Sequence, residues 1–341
     1  MTPGIVHAGP SSRWGRLLKP IARSVFALLL GGKRIDIGKS RRHLNFMGLL
    51  SGMPAGLSRF SVLVPGKSNA IKAEWLVPAR VGAEAPVILY LHGGGYISGS
   101  PLSHRDLAGR LGKAAGARCL VLDYRLAPEA PFPAALEDSI ACWRWLLKQG
   151  VRPEQIILAG DSAGGGLALA TGLRLKQLGL RQPAAYCCLS PWTDLSLSGE
   201  SIVARQSREV VLANPALLQT AAAAYCAGQT PDQALVSPLF GELEGLAPIL
   251  IQVGTEEVLL DDSLRFHQRA RAAGVNCELT LWEGMWHVWP LLYRTGLPEA
   301  RVALEKAAVF IQENAGLQAR VGGREKLSHS AARQQPTEGA L

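Results

Sequence analysis

The stretch IILAGDSAGGGLALA, residues 156–170, decides the fold. Its aliphatic run is typical of a buried strand, and the small residues that follow are typical of a helix. Residues 160–164, GDSAG, match the pattern G-x-S-x-G, in which a sharp strand-to-helix turn presents a serine hydroxyl above a sheet. The two glycines leave room for that turn, and the N-terminal end of the following helix favours a developing oxyanion. The motif therefore predicts that Ser162 is a nucleophile.

Strand and helix patterns alternate on both sides of this motif. Aliphatic runs predict strands at 71–78, 86–92, 117–124, 155–160, 184–191, 248–254 and 277–284. Stretches of helical period lie between several of them, at 104–115, 134–149, 163–178 and 261–273. Such alternation is typical of a mostly parallel sheet with helices on both faces. The sequence therefore predicts an α/β fold.

Two segments fall outside the alternation and are expected to form a cap over the site. They are residues 1–60, which are rich in basic side chains, and residues 195–240, an insertion between two predicted strands. Insertions at the carboxyl ends of strands usually cover a site. The expected core then comprises 61–194 and 241–316. The polar tail, 317–341, has no periodicity and is expected to be disordered.

The net charge of +9 is concentrated in the N-terminal arm. Residues 1–45 hold nine basic side chains and one acidic side chain, so the rest of the chain is nearly neutral. Because no basic stripe interleaved with aromatic residues crosses that body, nucleic acid is not an expected partner.

The arm also contains a predicted amphipathic helix. Its apolar residues recur at steps of three and four: Trp14, Leu17, Leu18, Ile21, Val25 and Leu28. The apolar run at 24–32 is too short to span a bilayer, and it lacks the cleavage site of a signal peptide. We expect the helix to dock on the main domain, with weak contact to a membrane surface as the alternative.

The six cysteines lie mostly in apolar surroundings, and no two of them form a C-x-x-C pair. This pattern favours neither a disulfide framework nor a zinc site. Free thiols fit a reducing compartment, so a cytoplasmic location is expected.

A glycine-rich loop follows the strand predicted at 86–92. In LYLHGGGYISGS, residues 89–100, side-chain-free positions let backbone N–H groups face a substrate oxygen. We expect the N–H groups of Gly94, Gly95 and Ala163 to form an oxyanion hole. The absence of G-K-[ST] argues against a phosphate loop, and His92 is expected to hold the loop by hydrogen bonds.

A serine nucleophile needs a base and an acid that orients the base. His287, in WEGMWHVWP, follows the last predicted strand and comes after Ser162 in chain order, so it is the predicted base. Four carboxylates after the preceding strand compete for the role of acid: Glu256, Glu257, Asp261 and Asp262. Chain order fits all four and does not choose among them.

Five ordered motifs carry a family resemblance: HGGGY, DYRLAPEAPFPAALED, GDSAGG, SPWTDLS and WEGMWHVW. Together they resemble the bacterial hormone-sensitive-lipase-like esterases of the α/β-hydrolase superfamily, over about residues 70–312. The resemblance implies an α/β-hydrolase core beneath a helical cap. It also implies hydrolysis of short- to medium-chain carboxylic esters, without metal or cofactor, by an enzyme that often forms homodimers.

The resemblance also ranks the acids. The family commonly places its catalytic Asp first in a D-x-L-x-D pattern, and here residues 257–261, EVLLD, occupy that pattern. Glu257 therefore stands where the family has Asp, and the implied triad is Ser162, Glu257 and His287.

Two rival functions remain open. A lactone hydrolase or a deacetylase of a specific metabolite would use the same residues. A non-catalytic ligand-binding protein could keep the fold, although such proteins typically lose the histidine that this chain retains. Away from the triad, Asp123 and Arg125 are expected to form a bracing ion pair, and Trp282, Trp286 and Trp289 are expected to pack around His287.

Overall fold

The computed structural model describes residues 4–30, 35–67 and 69–315. The tail predicted to be disordered, 317–341, lies outside the described residues.

Nine strands of the described residues form one sheet. They are β1 (Ile5–Ala8), β2 (Leu57–Val64), β3 (Ile71–Pro78), β4 (Val87–Leu91), β5 (Arg118–Leu122), β6 (Ile156–Asp161), β7 (Ala185–Leu189), β8 (Ile249–Gly254) and β9 (Cys277–Trp282). Their order across the sheet is β1-β9-β8-β7-β6-β4-β5-β3-β2. The seven strands from β1 to β5 in that order run parallel, whereas β3 and β2 are antiparallel additions.

The described residues also form helices, some of which cover both faces of this sheet. They are α1 (Arg13–Leu30), α2 (Ile37–Ser51), α3 (Pro101–Ala115), α4 (Ala134–Lys148), α5 (Ala163–Gln177), α6 (Ser201–Ala204), α7 (Pro215–Cys226), α8 (Leu260–Ala272) and α9 (Pro298–Asn314). Alternate residues of β4 belong to the two cores: Leu89 lies in the cluster that includes residues of α4, α5 and α8, and Ile88 lies in the cluster that includes residues of α3 and α9. Because both faces are covered, the central strands are apolar throughout rather than alternating. The predicted α/β-hydrolase fold is confirmed.

The N-terminal segment differs from the expectation that residues 1–60 belong to a cap. Residues 5–8 form β1, which pairs in parallel with β9 and covers that edge of the sheet. Residues 57–60 begin β2, which pairs with β3 at the opposite edge. An unpaired strand at a sheet edge exposes N–H and C=O groups. Pairing with β1 and β2 gives hydrogen-bond partners to the edges of β9 and β3, which segments placed in a cap would not do. The helices of this segment, α1 and α2, are the part that is still predicted to belong to a cap, and the division into core and cap remains a prediction.

The helix predicted in the arm is present as α1, but it docks on a different face from the predicted stripe. Its buried side chains are Leu18, Ala22 and Phe26, which lie in one buried cluster with the tryptophans that neighbour His287 in the sequence. Five of the six predicted stripe residues are exposed: Trp14, Leu17, Ile21, Val25 and Leu28. Periodicity located the helix, but the position of the tryptophan cluster determined which face is buried. Among the described helices, none combines the length and apolar character needed to cross a membrane.

Candidate active site

Ser162 lies at the tight corner between β6 and α5. Its backbone has φ 52° and ψ −123°, a strained conformation for a residue with a side chain. A Cβ at Gly164 would lie 1.9 Å from the carbonyl oxygen of Leu91, and one at Gly160 would meet the backbone of Gly164. These close approaches explain why the corner needs glycine on both sides of the serine.

His287 is brought to this corner by the loop that follows β9. Its Nε2 lies 2.9 Å from Ser162 Oγ, and its Nδ1 lies 2.9 Å from an oxygen of Glu257. All three side chains are buried. The geometry thus joins a serine, an imidazole and a carboxylate in one hydrogen-bonded line, which can transfer the serine proton to the imidazole.

Glu257 is the carboxylate of the four candidates that contacts His287. Its other oxygen accepts hydrogen bonds from Ser190 Oγ at 2.7 Å and from the N–H of Gly254 at 2.6 Å. Ser190 itself has a positive φ of 48° and also accepts the N–H of Val288 at 3.2 Å. Both oxygens of Glu257 are therefore fixed in place.

The other three candidate carboxylates have different partners. Glu256 forms an ion pair with Lys19 of α1. Asp261 accepts the N–H of Ser201 at 2.8 Å, which ties α8 to α6. Asp262 accepts the N–H groups of Thr193 and Asp194 at 2.7 and 2.8 Å.

The electrostatics of the site favour a protonated imidazole. Burial acts to lower the pKa of His287, but the hydrogen bond and charge of Glu257, with the charges of Glu209 and Asp161, outweigh it. The pKa of His287 is therefore raised above its ordinary value. A base with a raised pKa holds more firmly the proton that it takes from the serine.

The glycine loop lies beside Ser162. Gly94 and Gly95 have φ values of 115° and 66°, which favour glycine, and both line the same cavity as the serine. Ala163 opens α5, so its N–H has no acceptor within the helix. These three N–H groups are the donors predicted for the oxyanion hole.

His92 lies behind this loop rather than in the cavity. Its Nδ1 is 2.8 Å from the carbonyl oxygen of Gly93, and its ring stacks on Tyr124 with the ring centroids 4.2 Å apart. Burial lowers the pKa of His92 to about 3, so the ring is neutral. These contacts fit the bracing role expected for it.

Sequence reasoning missed a second polar group, formed by Asp161 and His104. Asp161 accepts the hydroxyl of Tyr90 at 2.8 Å and the N–H of Gly93 at 3.1 Å, and it lies 3.3 Å from His104 Nε2. It thereby anchors the glycine loop to the strand that carries Ser162. A charged residue ending the apolar run of β6 was the available signal, whereas the position of His104 in a predicted helix concealed its role.

The cavity above Ser162 has a volume of about 70 Å³ and a mostly apolar lining. Its core side is formed by the glycine loop and by Ser162 and His287. The side that faces the predicted cap is formed by side chains of α2, of α7 and of the loop before α7: Ser40, Leu44, Val211, Leu212, Leu217, Leu218 and Ala221. Both predicted cap segments therefore contribute to the cavity. Within the described ranges, no cluster of His, Cys, Asp and Glu is arranged to hold a metal ion.

The expected ion pair between Asp123 and Arg125 is wrong. Arg125 instead binds Asp138 of α4, with an N–O distance of 2.7 Å. The backbone N–H of Arg125 also donates to Asp138 at 2.9 Å, so this carboxylate of α4 holds both the main chain and the guanidinium of Arg125. The three tryptophans lie together in the buried cluster that receives α1, and their packing around His287 stays a prediction.

Comparisons with known proteins match the chain over this whole region. A family model described as the alpha/beta hydrolase fold matches residues 88–291. An acetyl-hydrolase from Streptomyces hygroscopicus is 49% identical over 244 residues, covering 72% of this chain and 80% of that protein. An esterase from Acinetobacter venetianus is 40% identical over 225 residues, covering 66% of this chain and 74% of that protein.

Solved structures give the same result. An esterase from the bacterial hormone-sensitive lipase family has 38% identity and a TM-score of 0.81, covering 87% of this chain and 97% of that chain. An esterase/lipase from an uncultured bacterium has 36% identity and a TM-score of 0.82, covering 90% of this chain and 100% of that chain. The region matched by the family model, 88–291, spans the positions of Ser162, Glu257 and His287.

Proposed function

The chain belongs to the α/β-hydrolase esterases that resemble hormone-sensitive lipase, and on that basis we propose its catalytic mechanism and the class of ester that it hydrolyses. Ser162, His287 and Glu257 form a catalytic triad that hydrolyses esters of short acyl chains through an acyl-serine. The observation that carries this proposal is the pair of 2.9 Å hydrogen bonds that joins His287 to Ser162 and to Glu257.

Acylation begins when His287 Nε2 accepts the proton of Ser162 Oγ. The oxygen attacks the ester carbonyl, and the N–H groups of Gly94, Gly95 and Ala163 bind the oxyanion that forms. The tetrahedral intermediate collapses when His287 returns the proton to the leaving alcohol. The product of this half-reaction is the acyl-serine ester.

Deacylation repeats the sequence with water. His287 takes a proton from water, the hydroxide attacks the acyl carbonyl, and the proton passes to Ser162 Oγ as the acid leaves. Throughout, Glu257 holds Nδ1–H and so keeps Nε2 free to accept the proton. One ester and one water give one acid and one alcohol.

The size of the cavity supports a short acyl chain. Its volume of about 70 Å³ has space for a few water molecules or a small acyl group. The Streptomyces relative is named an acetyl-hydrolase, and a relative from Pseudomonas putida is named an ethyl acetate hydrolase. These names and the cavity together favour acetyl esters over the longer chains of the range that the sequence allowed. An acetyl ester of a larger metabolite is therefore a second candidate substrate.

The proposal is tested by removing the nucleophile and by labelling it. Ser162→Ala is expected to lower kcat on p-nitrophenyl acetate by about 10³-fold or more, because a member of a cooperative triad is lost. In the parent, phenylmethanesulfonyl fluoride should transfer its sulfonyl group to Ser162 Oγ and release fluoride. Mass spectrometry of the peptide that contains Ser162 detects the adduct.

Ser263→Ala is the matched control, because Ser263 is buried in α8 and its hydroxyl has no partner among the described residues. That variant should keep the parental kcat and the label. Substantial hydrolysis by folded Ser162→Ala, or a label on another residue, would refute the triad.

A further inference from the structure

Glu209 is a carboxylate with no exposed surface, in the cap segment between α6 and α7. Burial lowers the pKa of Lys19 and the nearby charge of Glu209 acts against that effect, but the ammonium of Lys19 pairs with Glu256. A buried carboxylate must be compensated by hydrogen bonds if it is to stay ionised. The hydrogen bonds that the carboxylate of Glu209 accepts therefore indicate its role.

Four backbone N–H groups donate to Glu209. Its Oε1 accepts from Val210 at 2.7 Å, from Val211 at 3.0 Å and from His287 at 3.2 Å. Its Oε2 accepts from Val258 at 3.1 Å. Two donors belong to its own loop, one is the backbone of His287 itself, and one is the residue next to Glu257. A single cap side chain therefore joins the loops that carry the base and the acid.

We infer that Glu209 is a positioning residue: its carboxylate fixes the backbone at His287 and Val258 and so aligns the imidazole and Glu257 with Ser162. The inference rests on the proposed function of the triad. Ser190 completes the arrangement from the core side, because it binds Glu257 and the N–H of Val288. The histidine loop is thus held at two consecutive residues, once by the cap and once by the core.

The loop that carries Glu209 also forms part of the cavity. Val211 donates its N–H to Glu209, and Val211 and Leu212 line the space above Ser162. A displacement of this loop would therefore change the cavity wall and the support of His287 together. This connection couples the cap to the alignment of the base.

The negative charge of Glu209 supplies a second, measurable effect. His287 faces three carboxylates, Glu257, Glu209 and Asp161, and all three raise its pKa against the effect of burial. The other charged groups nearby are already engaged: Asp161 pairs with His104, and Lys19 pairs with Glu256. Removing the charge of Glu209 should therefore lower the pKa of His287, which the loss of a purely structural contact would not do.

The test uses the full chain and the variant Glu209→Gln, which keeps the shape but loses the charge and one acceptor. We expect kcat on p-nitrophenyl acetate to fall about tenfold or more, because small misplacements of a catalytic group are costly. KM should stay within about threefold of the parental value, since the contact is not made to substrate. Histidine-labelled protein, titrated by NMR and assigned with His287→Ala, should show a lower pKa for His287.

Glu200→Gln is the matched control, because it makes the same change at an exposed position just before α6, within the same predicted cap insertion, 195–240. It should leave kcat and the pKa of His287 unchanged. A parental kcat in folded Glu209→Gln, or a lower kcat with no change in that pKa, would overturn the inference. If Glu209→Gln does not fold, Glu209→Asp decides: lower kcat at a parental KM supports the inference, and a parental kcat overturns it.

The two hypotheses fail in different ways. Activity that persists in folded Ser162→Ala would refute the proposed triad, while the NMR titration would still report whether Glu209 acts on His287. An inactive Ser162→Ala beside a normal Glu209→Gln would refute only the role of Glu209.

Discussion

In the proposed triad, Glu257 acts through the hydrogen bonds that its two oxygens accept, one from His287 and two from Ser190 and Gly254. A carboxylate in this position stabilises the imidazolium that forms in the transition state. Glu257→Gln is therefore expected to lower kcat by about 10²-fold or more with little change in KM. Glu257→Asp should keep partial activity, because the charge remains but the reach is shorter. The measurement is kcat on one short ester at fixed pH.

Glu256→Gln serves as the neighbouring control. Its carboxylate faces Lys19 rather than His287, so kcat should stay within several-fold of the parental value. A near-normal Glu257→Gln beside an inactive Glu256→Gln would transfer the role of acid to Glu256.

The raised pKa of His287 predicts how kcat/KM depends on pH. Only the neutral imidazole can accept the serine proton, so activity is lost as pH falls through this pKa. Because the pKa lies above the ordinary value of 6.5, the acid limb of kcat/KM should have its midpoint above pH 6.5. Glu257→Gln should move the midpoint of its residual activity to lower pH, since a charge that favours the protonated ring is removed. Circular dichroism at each pH separates titration from unfolding, and a parental midpoint below 6.5 would contradict the prediction.

The site residues that the sequence predicted are those that lie in recognisable local motifs. Ser162 follows from its strand-to-helix context, and His287 follows from its place after the last predicted strand. Glu257 came from the family pattern, because the residues alone left four carboxylates open. Glu209 and Ser190 carried no local signal, since their roles arise only when distant loops meet at His287. Such contacts depend on tertiary packing, which a single sequence does not display.

At the scale of elements, α2 is the part of the N-terminal arm that reaches the substrate cavity. Leu44 lines it, while Leu49, one and a half turns further along, is exposed. Leu44→Ala should enlarge the cavity and raise the ratio of kcat/KM for hexanoate over acetate by about tenfold, as expected for removed apolar bulk. The measurement compares two series of esters, one varied in the acyl chain and one in the alcohol, because either group could occupy the space beside α2.

Leu49→Ala tests whether position within α2 matters. It removes the same atoms from the solvent side of the helix, so both series should keep their parental ratios. If Leu44→Ala also left both ratios unchanged, α2 would have no part in substrate selection.

The strands that the sequence predicted and the strands that it missed differ in their surroundings. Strands such as β4 and β6 are buried on both faces, so their unbroken aliphatic runs stand out. The missed β1 and β2 lie at the sheet edges with largely accessible residues, and edge strands carry weak patterns. The exposed stripe of α1 shows a further limit: periodicity identifies an apolar face, but neighbouring elements decide which side is covered.

At the scale of the whole molecule, all six cysteines are free and buried. Burial raises the pKa of Cys187 and Cys277 to about 12, and it raises that of the other four as well. The thiolate is the reactive form, so none of the six thiols should react quickly with Ellman's reagent at pH 8 in the folded enzyme. All six should react in guanidinium chloride, as followed by the absorbance of the released thiobenzoate.

A denatured sample that was reduced and desalted beforehand gives the reference for that count. Fewer than six thiols in the unreduced sample would reveal a disulfide. Rapid reaction before unfolding would place a cysteine at the surface.

The pairing of β1 with β9 also constrains the order in which a growing chain can mature on the ribosome. Ile5 precedes its partner, Leu279, in the chain, so β1 is synthesised before β9. β1 must therefore wait for β9, and for every element between them, before its place in the sheet exists. His287 emerges only after that place has been completed, so a prematurely terminated chain lacks both the closed edge and the base. Translation thus delivers the candidate active site only in a chain that already contains both β1 and its partner β9.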